Sequence, residues 1–318
     1  MQTIFITGAT GFVGRCLVDR LTTDGWSVTA AVRTHSAAMP DTVKTIRVEN
    51  IAADTDWLGA FAGIETLVHL AARAHVIIDR DDDPLAAFRR VNVAGTERLA
   101  REAAKAGVQR FIFVSSIKVN GEGTDTPYSE AQPVHPSGPY GISKWEAEQA
   151  LRRIETETAM KVVIIRPPLV YGPGVKANFL NLIKIVNSGI PLPLASVSNK
   201  RSLIYIENLV DAIVTCIRKP GAAGQTYLVS DGEDVSTPEL ARRLASALER
   251  PARLFPFPAG LLRIAGKLAG KSGIVDRLIG SLLIDSSKIH RDLGWKPPCT
   301  MELGLKRTAG WFLKGFGQ

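Results

Sequence analysis

The segment TIFITGATGFVG, residues 3–14, predicts how the chain begins to fold. Its first five residues are apolar or β-branched, which predicts a short buried strand. From Phe12 to Thr23 the apolar side chains recur at helical spacing, which predicts a helix. The strand therefore enters the helix directly, through a turn that contains Gly8, Gly11 and Gly14.

Three glycines in this context predict a dinucleotide-binding turn. Gly8 permits a positive φ, Gly11 lets the backbone approach a pyrophosphate, and Gly14 lets the helix pack closely on the strand. The N-terminus of the helix adds unpaired N–H groups and a partial positive charge, both of which favour bound phosphate. The expected cofactor contacts in this turn are Gly8, Thr10, Gly11, Phe12, Val13 and Gly14.

The end of the second predicted strand, Ser27–Val32, indicates which dinucleotide binds. NAD-preferring folds usually carry a carboxylate there that binds the adenine ribose hydroxyls, whereas this chain has Arg33. A guanidinium suits a ribose 2′-phosphate, so NADP(H) is favoured over NAD(H). The alternative is that Arg33 stacks over the adenine or points to solvent.

Further along the chain, apolar strands alternate with helical stretches, as a doubly wound sheet requires. We predict strands at 66–72, 111–114 and 161–166, and one long helix from Leu85 to Ala106. Ser116 follows the strand at 111–114, and ligands bind at the carboxyl ends of strands in open parallel sheets. The predicted fold is therefore α/β, a Rossmann-type doubly wound parallel sheet with a smaller C-terminal α/β substrate-binding lobe.

At 318 residues the chain can bury a large core and is expected to divide into two lobes. We place the Rossmann domain at residues 1–166, with about 203–232 returning to it. Residues 167–202 and 233–318 are assigned to the substrate-binding lobe.

Tyr140 and Lys144 stand four residues apart in a stretch that reads as the opening of a helix. One helical turn places the phenol and the ammonium on the same face. A tyrosine of ordinary pKa, about 10, is a poor proton donor or acceptor at neutral pH, and a nearby cation would lower that pKa. The two residues are thus a candidate acid–base pair beside a dinucleotide. The alternative is a solvated helix face.

The composition indicates a soluble protein in reducing surroundings. Cys16, Cys216 and Cys299 are widely scattered and lack metal-type spacing, so neither a disulfide framework nor a metal site is expected. No signal peptide is recognisable before the first strand, and no apolar run approaches the ~20 residues that span a bilayer. We therefore expect a cytoplasmic location.

The net charge of +8 is concentrated near the C-terminus, because residues 251–318 contain 11 Lys and Arg against 4 Asp and Glu, a balance of +7. Part of this segment predicts a basic amphipathic helix. Its basic members are Arg263, Lys267 and Lys271, and its apolar members are Leu261, Leu262, Ile264 and Leu268. A solvated helix face is favoured over an electrostatic funnel for an anionic substrate, and a membrane-surface contact is favoured least. Nucleic acid is not expected, since no helix-turn-helix, RNP-like or zinc-finger pattern occurs.

Taken together, the motifs resemble those of one family. The chain resembles the extended short-chain dehydrogenases/reductases of the NAD(P)-dependent nucleotide-sugar epimerase and dehydratase type, which include UDP-glucose 4-epimerases. The segments that carry the resemblance are Thr7–Gly14, His69–Ala72, Val91–Thr96, Val114–Ser116, Tyr140 with Lys144, and Arg166–Gly174. They occur in the family order across more than half of the chain.

The resemblance implies a catalytic trio of Ser116, Tyr140 and Lys144. Ser116 would hydrogen-bond the oxygen at C4 of a sugar, and Tyr140 would exchange a proton with it. Lys144 would lower the tyrosine pKa and bind the nicotinamide ribose, and hydride would pass between C4 and the nicotinamide. Asn92 would order the active-site helix, with a simple cap or turn role as the alternative. The further cofactor contacts that the resemblance implies are Leu70, Ala71, Ala72, Asn92, Tyr140 and Lys144.

Similarity to UDP-sugar enzymes extends into the second lobe. Asn178 and Arg201 resemble contacts to the nucleotide diphosphate, and Arg277 is a weaker match. Arginine suits a diphosphate because its planar fork can bind two oxygens at once. The expected substrate contacts are therefore Ser116, Tyr140, Asn178, Arg201 and Arg277, with a surface salt bridge as the alternative for the arginines. The resemblance also suggests a homodimer through helices of the Rossmann lobe.

Three positions depart from the family pattern. Lys118 stands where many members have a small or hydroxyl residue, and Asn120 stands where many have a tyrosine. Because of Lys118 and Asn120, the wall near the sugar is expected to differ from that of galactose epimerases. Asn50 stands where many members have an acid that contacts the adenine amine.

Local similarity is closest to bacterial polysaccharide enzymes, including reductases that convert a UDP-4-keto-6-deoxy-N-acetylhexosamine to UDP-N-acetylquinovosamine. A net reduction requires the cofactor to leave and be replaced, which agrees with an NADP(H) site at Arg33. We therefore expect a 4-keto reductase of a UDP-linked sugar. The alternative is a UDP-hexose 4-epimerase, which keeps NAD bound, and a remote alternative is a non-catalytic NADP-sensing protein.

Overall fold

The computed structural model describes residues 3–33, 39–74, 83–270 and 272–316. Its strands are β1 (Thr3–Thr7), β2 (Ser27–Val32), β3 (Lys44–Arg47), β4 (Thr66–His69), β5 (Arg110–Val114), β6 (Lys161–Arg166), β7 (Leu169–Tyr171), β8 (Arg201–Tyr205), β9 (Thr226–Leu228) and β10 (Asp234–Val235). Its α-helices are α1 (Phe12–Thr23), α2 (Pro84–Arg89), α3 (Thr96–Lys105), α4 (Gly138–Glu157), α5 (Ala177–Ser188), α6 (Ile206–Arg218), α7 (Thr237–Ala247), α8 (Ala259–Leu268), α9 (Ser272–Ile279), α10 (Ser287–Leu293) and α11 (Met301–Phe316).

Seven parallel strands form the main sheet, in the order β3-β2-β1-β4-β5-β6-β9. The strand order reverses between β1 and β4, and ligands bind at such a switch point in open α/β sheets. A second sheet, β10-β8-β7, belongs to the C-terminal part of the chain. The predicted Rossmann-type doubly wound fold is confirmed.

Helices cover both faces of the main sheet, which explains why its inner strands are largely apolar. Ile4 and Ile6 of β1 pack toward α1 and α6, whereas Phe5, which points to the other face, packs toward α3 and α4. The predicted helix at Phe12–Thr23 and the predicted strands at Ser27–Val32 and 161–166 have these bounds in the structure.

The long helix predicted from Leu85 to Ala106 is not a continuous α-helix. A π-helix, Arg90–Gly95, separates α2 from α3. A Cβ atom on Gly95 would lie 2.7 Å from the Ile51 side chain, so this turn packs closely on a neighbouring loop. A π-turn inserts one residue without ending the helix, and apolar periodicity therefore does not reveal it.

Two other predicted elements differ from the structure. The strand predicted at 66–72 ends at His69, because residues 70–72 turn away to pass the glycine turn. The predicted basic amphipathic helix is two helices, α8 and α9, and Lys271 between them lies outside the described residues.

After β8, the chain returns to the main sheet through β9, which pairs with β6. β8 itself lies in the second sheet, where it pairs with β7 and β10. The domain boundaries given above and the homodimer stay predictions. Among the described helices, none is both long and apolar enough to cross a membrane.

We expect Gly14→Ala to destabilise the protein by about 1–3 kcal/mol, the usual cost of overpacking. A Cβ atom at Gly14 would lie 2.1 Å from the Gly8 carbonyl oxygen and 2.7 Å from the Ala9 Cα atom. The measurement is the free energy of unfolding in urea. The matched control is Gly310→Ala in α11, where the new Cβ atom meets nothing within 4 Å and should stabilise the helix by up to ~1 kcal/mol. Equal effects at both positions would contradict the close packing of the turn.

Candidate active site

The glycine turn between β1 and α1 packs closely on the segment after β4 and leaves the start of α1 without a side-chain cap. Gly8 has φ +71°, and a Cβ atom there would lie 2.7 Å from the Ala71 nitrogen, so the turn and the segment after β4 are in close contact. Gly11 begins α1 and has no side chain with which to cap it. The first N–H groups of the helix are therefore available to a pyrophosphate. This cradle fits a dinucleotide.

The segment that follows β4 borders this turn. The Leu70 amide donates to the Thr7 carbonyl oxygen at 3.2 Å, and the Ala71 amide lies 3.4 Å from the Thr7 hydroxyl oxygen. Leu70, Ala71 and Ala72 are half-buried. The structure thus brings these predicted cofactor contacts together with Thr10, Phe12 and Val13 at the switch point.

His69 joins three elements at this edge of the sheet, a role that the sequence did not predict. Its ring is buried between the Thr7 hydroxyl, at 2.5 Å, and the Thr96 hydroxyl, at 2.9 Å. It also stacks on Phe113, with 5.7 Å between ring centroids. Burial, and then the charge of Lys144, lower the pKa of His69 to about 3. The ring is therefore neutral and holds β1, β4 and α3 together.

Asn92 lies on the π-helix and joins two parts of the site. Its side-chain oxygen accepts from the Arg73 amide at 2.8 Å, and its side-chain nitrogen donates to the Arg73 carbonyl oxygen and to the Ser143 hydroxyl. Ser143 is on α4, next to Lys144. Asn92 therefore holds the segment after β4 against the helix that carries the candidate acid–base pair. Its direct contact with a cofactor stays a prediction.

The turn that carries Ser116 and the helix that carries Tyr140 are in contact through the backbone of Lys118. Ser116 begins a short 3₁₀ helix, and its hydroxyl oxygen accepts from the Lys118 amide at 3.2 Å. The Lys118 carbonyl oxygen accepts from the Ser137 amide at 3.1 Å, immediately before α4. A Cβ atom on Gly141 would lie 2.8 Å from the same oxygen. The first turn of α4 thus packs directly on the turn that carries Ser116.

Lys144 is buried, with 2% of its surface exposed. Its Nζ atom donates to the Val114 carbonyl oxygen at 2.8 Å and lies 3.8 Å from the centre of the Phe113 ring. Burial lowers the pKa of Lys144 to about 7, and the charge of Glu148 partly opposes this shift.

Tyr140 differs from the expectation in its pKa. Burial raises the pKa of Tyr140 to about 12, and lowering by Lys144 does not contribute in the protein alone. The Lys144 ammonium instead bonds to Val114. The Tyr140 ring packs edge-on against Phe88, with 6.2 Å between centroids. In the protein alone, the phenol is therefore held in its neutral, protonated form near neutral pH.

A buried network below the trio was not predicted from the sequence. The Glu148 carboxylate on α4 accepts from both Arg166, at the end of β6, and the Ser115 hydroxyl. Arg166 also donates to the side-chain oxygen of Asn120 at 3.0 Å. One sequence signal was available, because Glu148 follows Tyr140 and Lys144 at the same four-residue spacing.

Two predicted substrate contacts lie together in the C-terminal part of the chain. The Arg201 guanidinium donates to the carbonyl oxygens of Arg277, at 2.8 Å, and Gly280, at 3.0 Å. Burial, and then the charge of Arg277, lower the pKa of Arg201. Asn178 lies in the first turn of α5.

Charges near Arg277 connect this region to the turn that carries Ser116. The Lys118 ammonium lies 2.6 Å from the Glu122 carboxylate. Lys118, and more weakly Arg277, lower the pKa of Glu122. Arg277 is therefore close enough to Glu122 for its charge to act on that carboxylate.

Arg33 is exposed at the end of β2, the position predicted to contact an adenine ribose. Within the described residues, no group of three or more His, Cys, Asp or Glu side chains is arranged to hold a metal ion.

Residues 4–230 match the model of the NAD dependent epimerase/dehydratase family. The chain belongs to this family. It is therefore an enzyme of the short-chain dehydrogenase/reductase type, and not the non-catalytic sensor considered above.

Among family members, a UDP-glucose 4-epimerase of Vibrio cholerae is 50% identical over 317 residues, which cover 98% of this chain and 96% of that protein. The structure of the UDP-glucose 4-epimerase of Thermotoga maritima with UDP-glucose has a TM-score of 0.79 at 24% identity, covering 98% and 99% of the two chains. MoeE5 in complex with UDP-glucuronic acid and NAD has a TM-score of 0.80 at 24% identity, covering 99% and 100%. These structural likenesses establish the fold.

We expect Tyr140→Phe to lower the rate of hydride transfer by about 10²–10⁴-fold, because it removes the group that exchanges the proton. Cofactor affinity should stay unchanged, since the ring contact with Phe88 is retained. Stopped-flow absorbance and calorimetric titration measure the two quantities. Tyr227→Phe, which removes a buried hydroxyl outside the trio, is the control. Full activity in Tyr140→Phe would exclude the proposed role.

The low pKa of Lys144 should make stability depend on pH in the cofactor-free protein. Below pH 7 Lys144 is charged in the folded state, and its burial then lowers the free energy of unfolding by the full amount. This loss becomes smaller as the pH rises from about 7 toward 10.5. The unfolding free energy of the parent, minus that of Lys144→Met, should therefore increase between pH 7 and 9, by at most ~1.4 kcal/mol per pH unit. Lys161→Met, at an exposed position, is the charge-matched control. A flat or falling difference for Lys144 would contradict its burial as a cation.

Proposed function

We propose that the protein transfers hydride at C4 of a UDP-linked sugar, and that its net reaction is the NADP(H)-dependent reduction of a UDP-4-keto-6-deoxy-N-acetylhexosamine. The observation that carries the C4 chemistry is the contact of the Ser116 turn with the first turn of α4 through Lys118 and Gly141. Because of this contact, the Ser116 hydroxyl and the Tyr140 phenol lie on two elements that meet at the carboxyl end of β5.

Each member of the trio has a separate task in this proposal. Ser116 donates a hydrogen bond to the oxygen at C4 and orients it. Tyr140 gives its proton to that oxygen as the ketone is reduced. Lys144 would bind the nicotinamide ribose. The bound NADPH supplies the hydride, and Gly8, Gly11, Gly14 and the segment Leu70–Ala72 would hold it.

The arginine pair supports a nucleotide-diphosphate substrate. Arg201 and Arg277 are close enough for the charge of one to lower the pKa of the other. An anion between them would relieve this repulsion, and a diphosphate offers several oxygens to a planar guanidinium. Asn178 at the start of α5 is the third proposed contact.

Arg33 favours net reduction over epimerisation. An epimerase returns its hydride to the same sugar and has no need to exchange the cofactor, whereas a reductase consumes one cofactor in each turnover. An exposed arginine at the end of β2 suits the 2′-phosphate of NADPH and no carboxylate follows the strand directly. The cofactor site is therefore the part of the molecule that separates the two reactions.

UDP-hexose 4-epimerase is the second candidate, and the 50% identical V. cholerae relative supports it. The two reactions share Ser116, Tyr140 and Lys144. In the epimerase, Tyr140 would first take the proton from the C4 hydroxyl and later return it to the 4-keto sugar. NAD would then stay bound throughout.

We expect purified protein to oxidise NADPH stoichiometrically when it is mixed with a UDP-4-keto-6-deoxy-N-acetylhexosamine. Absorbance at the nicotinamide band measures the consumption, and chromatography identifies the product. Interconversion of UDP-glucose and UDP-galactose with no net change in cofactor would instead establish the epimerase and overturn the reductase.

The matched variant is Arg33→Gln, which keeps a polar side chain and removes the charge. It should weaken NADPH binding by at least about tenfold, the range of a charge-assisted phosphate contact, and leave NADH binding nearly unchanged. Arg250→Gln, at another exposed arginine, is the control. Equal losses for both cofactors would show that Arg33 does not recognise the 2′-phosphate.

A further inference from the structure

Helices α8 and α9 form a hairpin that buries few of its side chains in the protein. In α8 only Gly266 is buried, and none of the residues of α9, all of which the structure describes, is buried. A Cβ atom on Gly266 would lie 2.5 Å from the Val275 side chain, so the two helices pack closely on each other.

Exposed apolar side chains are concentrated around this hairpin. Eleven large hydrophobic side chains are exposed among the described residues, and five of them lie between residues 255 and 274. We call these five the hairpin patch: Phe255 (41% exposed), Leu261 (50%), Ile264 (57%), Leu268 (85%) and Ile274 (48%). Concentrated exposure of this kind marks a surface that binds a partner.

The apolar face of α8 points away from the protein. Leu261, Ile264 and Leu268 are spaced by three and four residues and therefore share one face of the helix. The half-buried Leu262 and the buried Gly266 lie on another face, and Gly266 faces α9. A helix with a simple solvated face would bury its leucines and expose its polar side chains. α8 instead presents its apolar stripe to water, so the solvated face favoured by the sequence does not describe it.

Basic side chains flank the patch. Residues 253–277 contain five Lys and Arg against one Asp, a net charge of +4. Arg263 and Lys267 of α8 are both exposed. The carboxylate of Asp276 lies 3.8 Å from Arg263, and both side chains are more than 60% exposed, so this ion pair is weak.

We propose that the hairpin patch docks the protein on the surface of an anionic phospholipid bilayer. The apolar side chains would enter the boundary between headgroups and acyl chains, while Arg263 and Lys267 would contact lipid phosphates. Charge complementarity selects this occupant, because a second copy would bring another segment of charge +4 against the first. The proposal is independent of the reaction catalysed at C4.

The test is flotation of the full-length protein with vesicles of phosphatidylglycerol and phosphatidylethanolamine, compared with vesicles of phosphatidylcholine. We expect binding to the anionic vesicles only, weakened by added salt. The triple variant Leu261→Gln/Ile264→Gln/Leu268→Gln should weaken binding at least about tenfold. Arg263→Gln/Lys267→Gln should weaken it about fivefold for each residue, which corresponds to ~1 kcal/mol per basic residue at an anionic surface.

The matched control is Leu58→Gln/Ile185→Gln/Ile190→Gln, which removes three other exposed apolar side chains and should leave binding unchanged. Far-UV circular dichroism and the melting temperature verify that each variant is folded. The proposal would be overturned if the parent fails to bind or if it binds both vesicle types equally. It would also be overturned if the hairpin and control triples lose binding equally. A hairpin triple that binds vesicles like the parent but lowers the oligomeric mass in light scattering would overturn it as well, since the patch would then join two copies of the chain.

Discussion

The buried ion pair between Glu148 and Arg166 is the interaction on which the candidate site depends. Their side chains are only 2% and 5% exposed, and their remaining polar atoms bond to Ser115 and Asn120. The pair therefore joins α4, the end of β6 and Ser115, the residue next to Ser116. Removal of one partner from such a pair leaves an uncompensated charge that costs roughly 3–5 kcal/mol, so the interior strongly favours this single arrangement.

Near this ion pair, burial raises the pKa of Tyr140 and lowers that of Lys144, so it disfavours the charged form of both groups. Neighbouring neutral groups, such as the His69 ring and the Asn92 amide, position the elements without adding charge. The phenol of Tyr140 is therefore kept protonated near neutral pH, which suits the proposed donation of its proton to the oxygen at C4.

The sequence predicted the elements whose signals are local. The glycine turn, β1 and α1 follow from short-range spacing, and Tyr140 and Lys144 follow from one helical turn. The π-helix, the Glu148–Arg166 pair and the bonds of His69 arise from contacts between residues distant in sequence, which periodicity does not encode. The orientation of α8 was also beyond prediction, because the same spacing fits a helix with its apolar stripe turned inward or outward.

In the proposed reaction, one sugar oxygen meets both the Ser116 hydroxyl and the Tyr140 phenol. The direct test is a crystal structure with the oxidised cofactor and a UDP-sugar bound. We predict that both hydroxyls lie within about 3.2 Å of the oxygen at C4, with the diphosphate between Arg201 and Arg277. A sugar whose C4 oxygen lies away from Tyr140, or a diphosphate bound elsewhere, would contradict the proposed roles of Tyr140 and the two arginines.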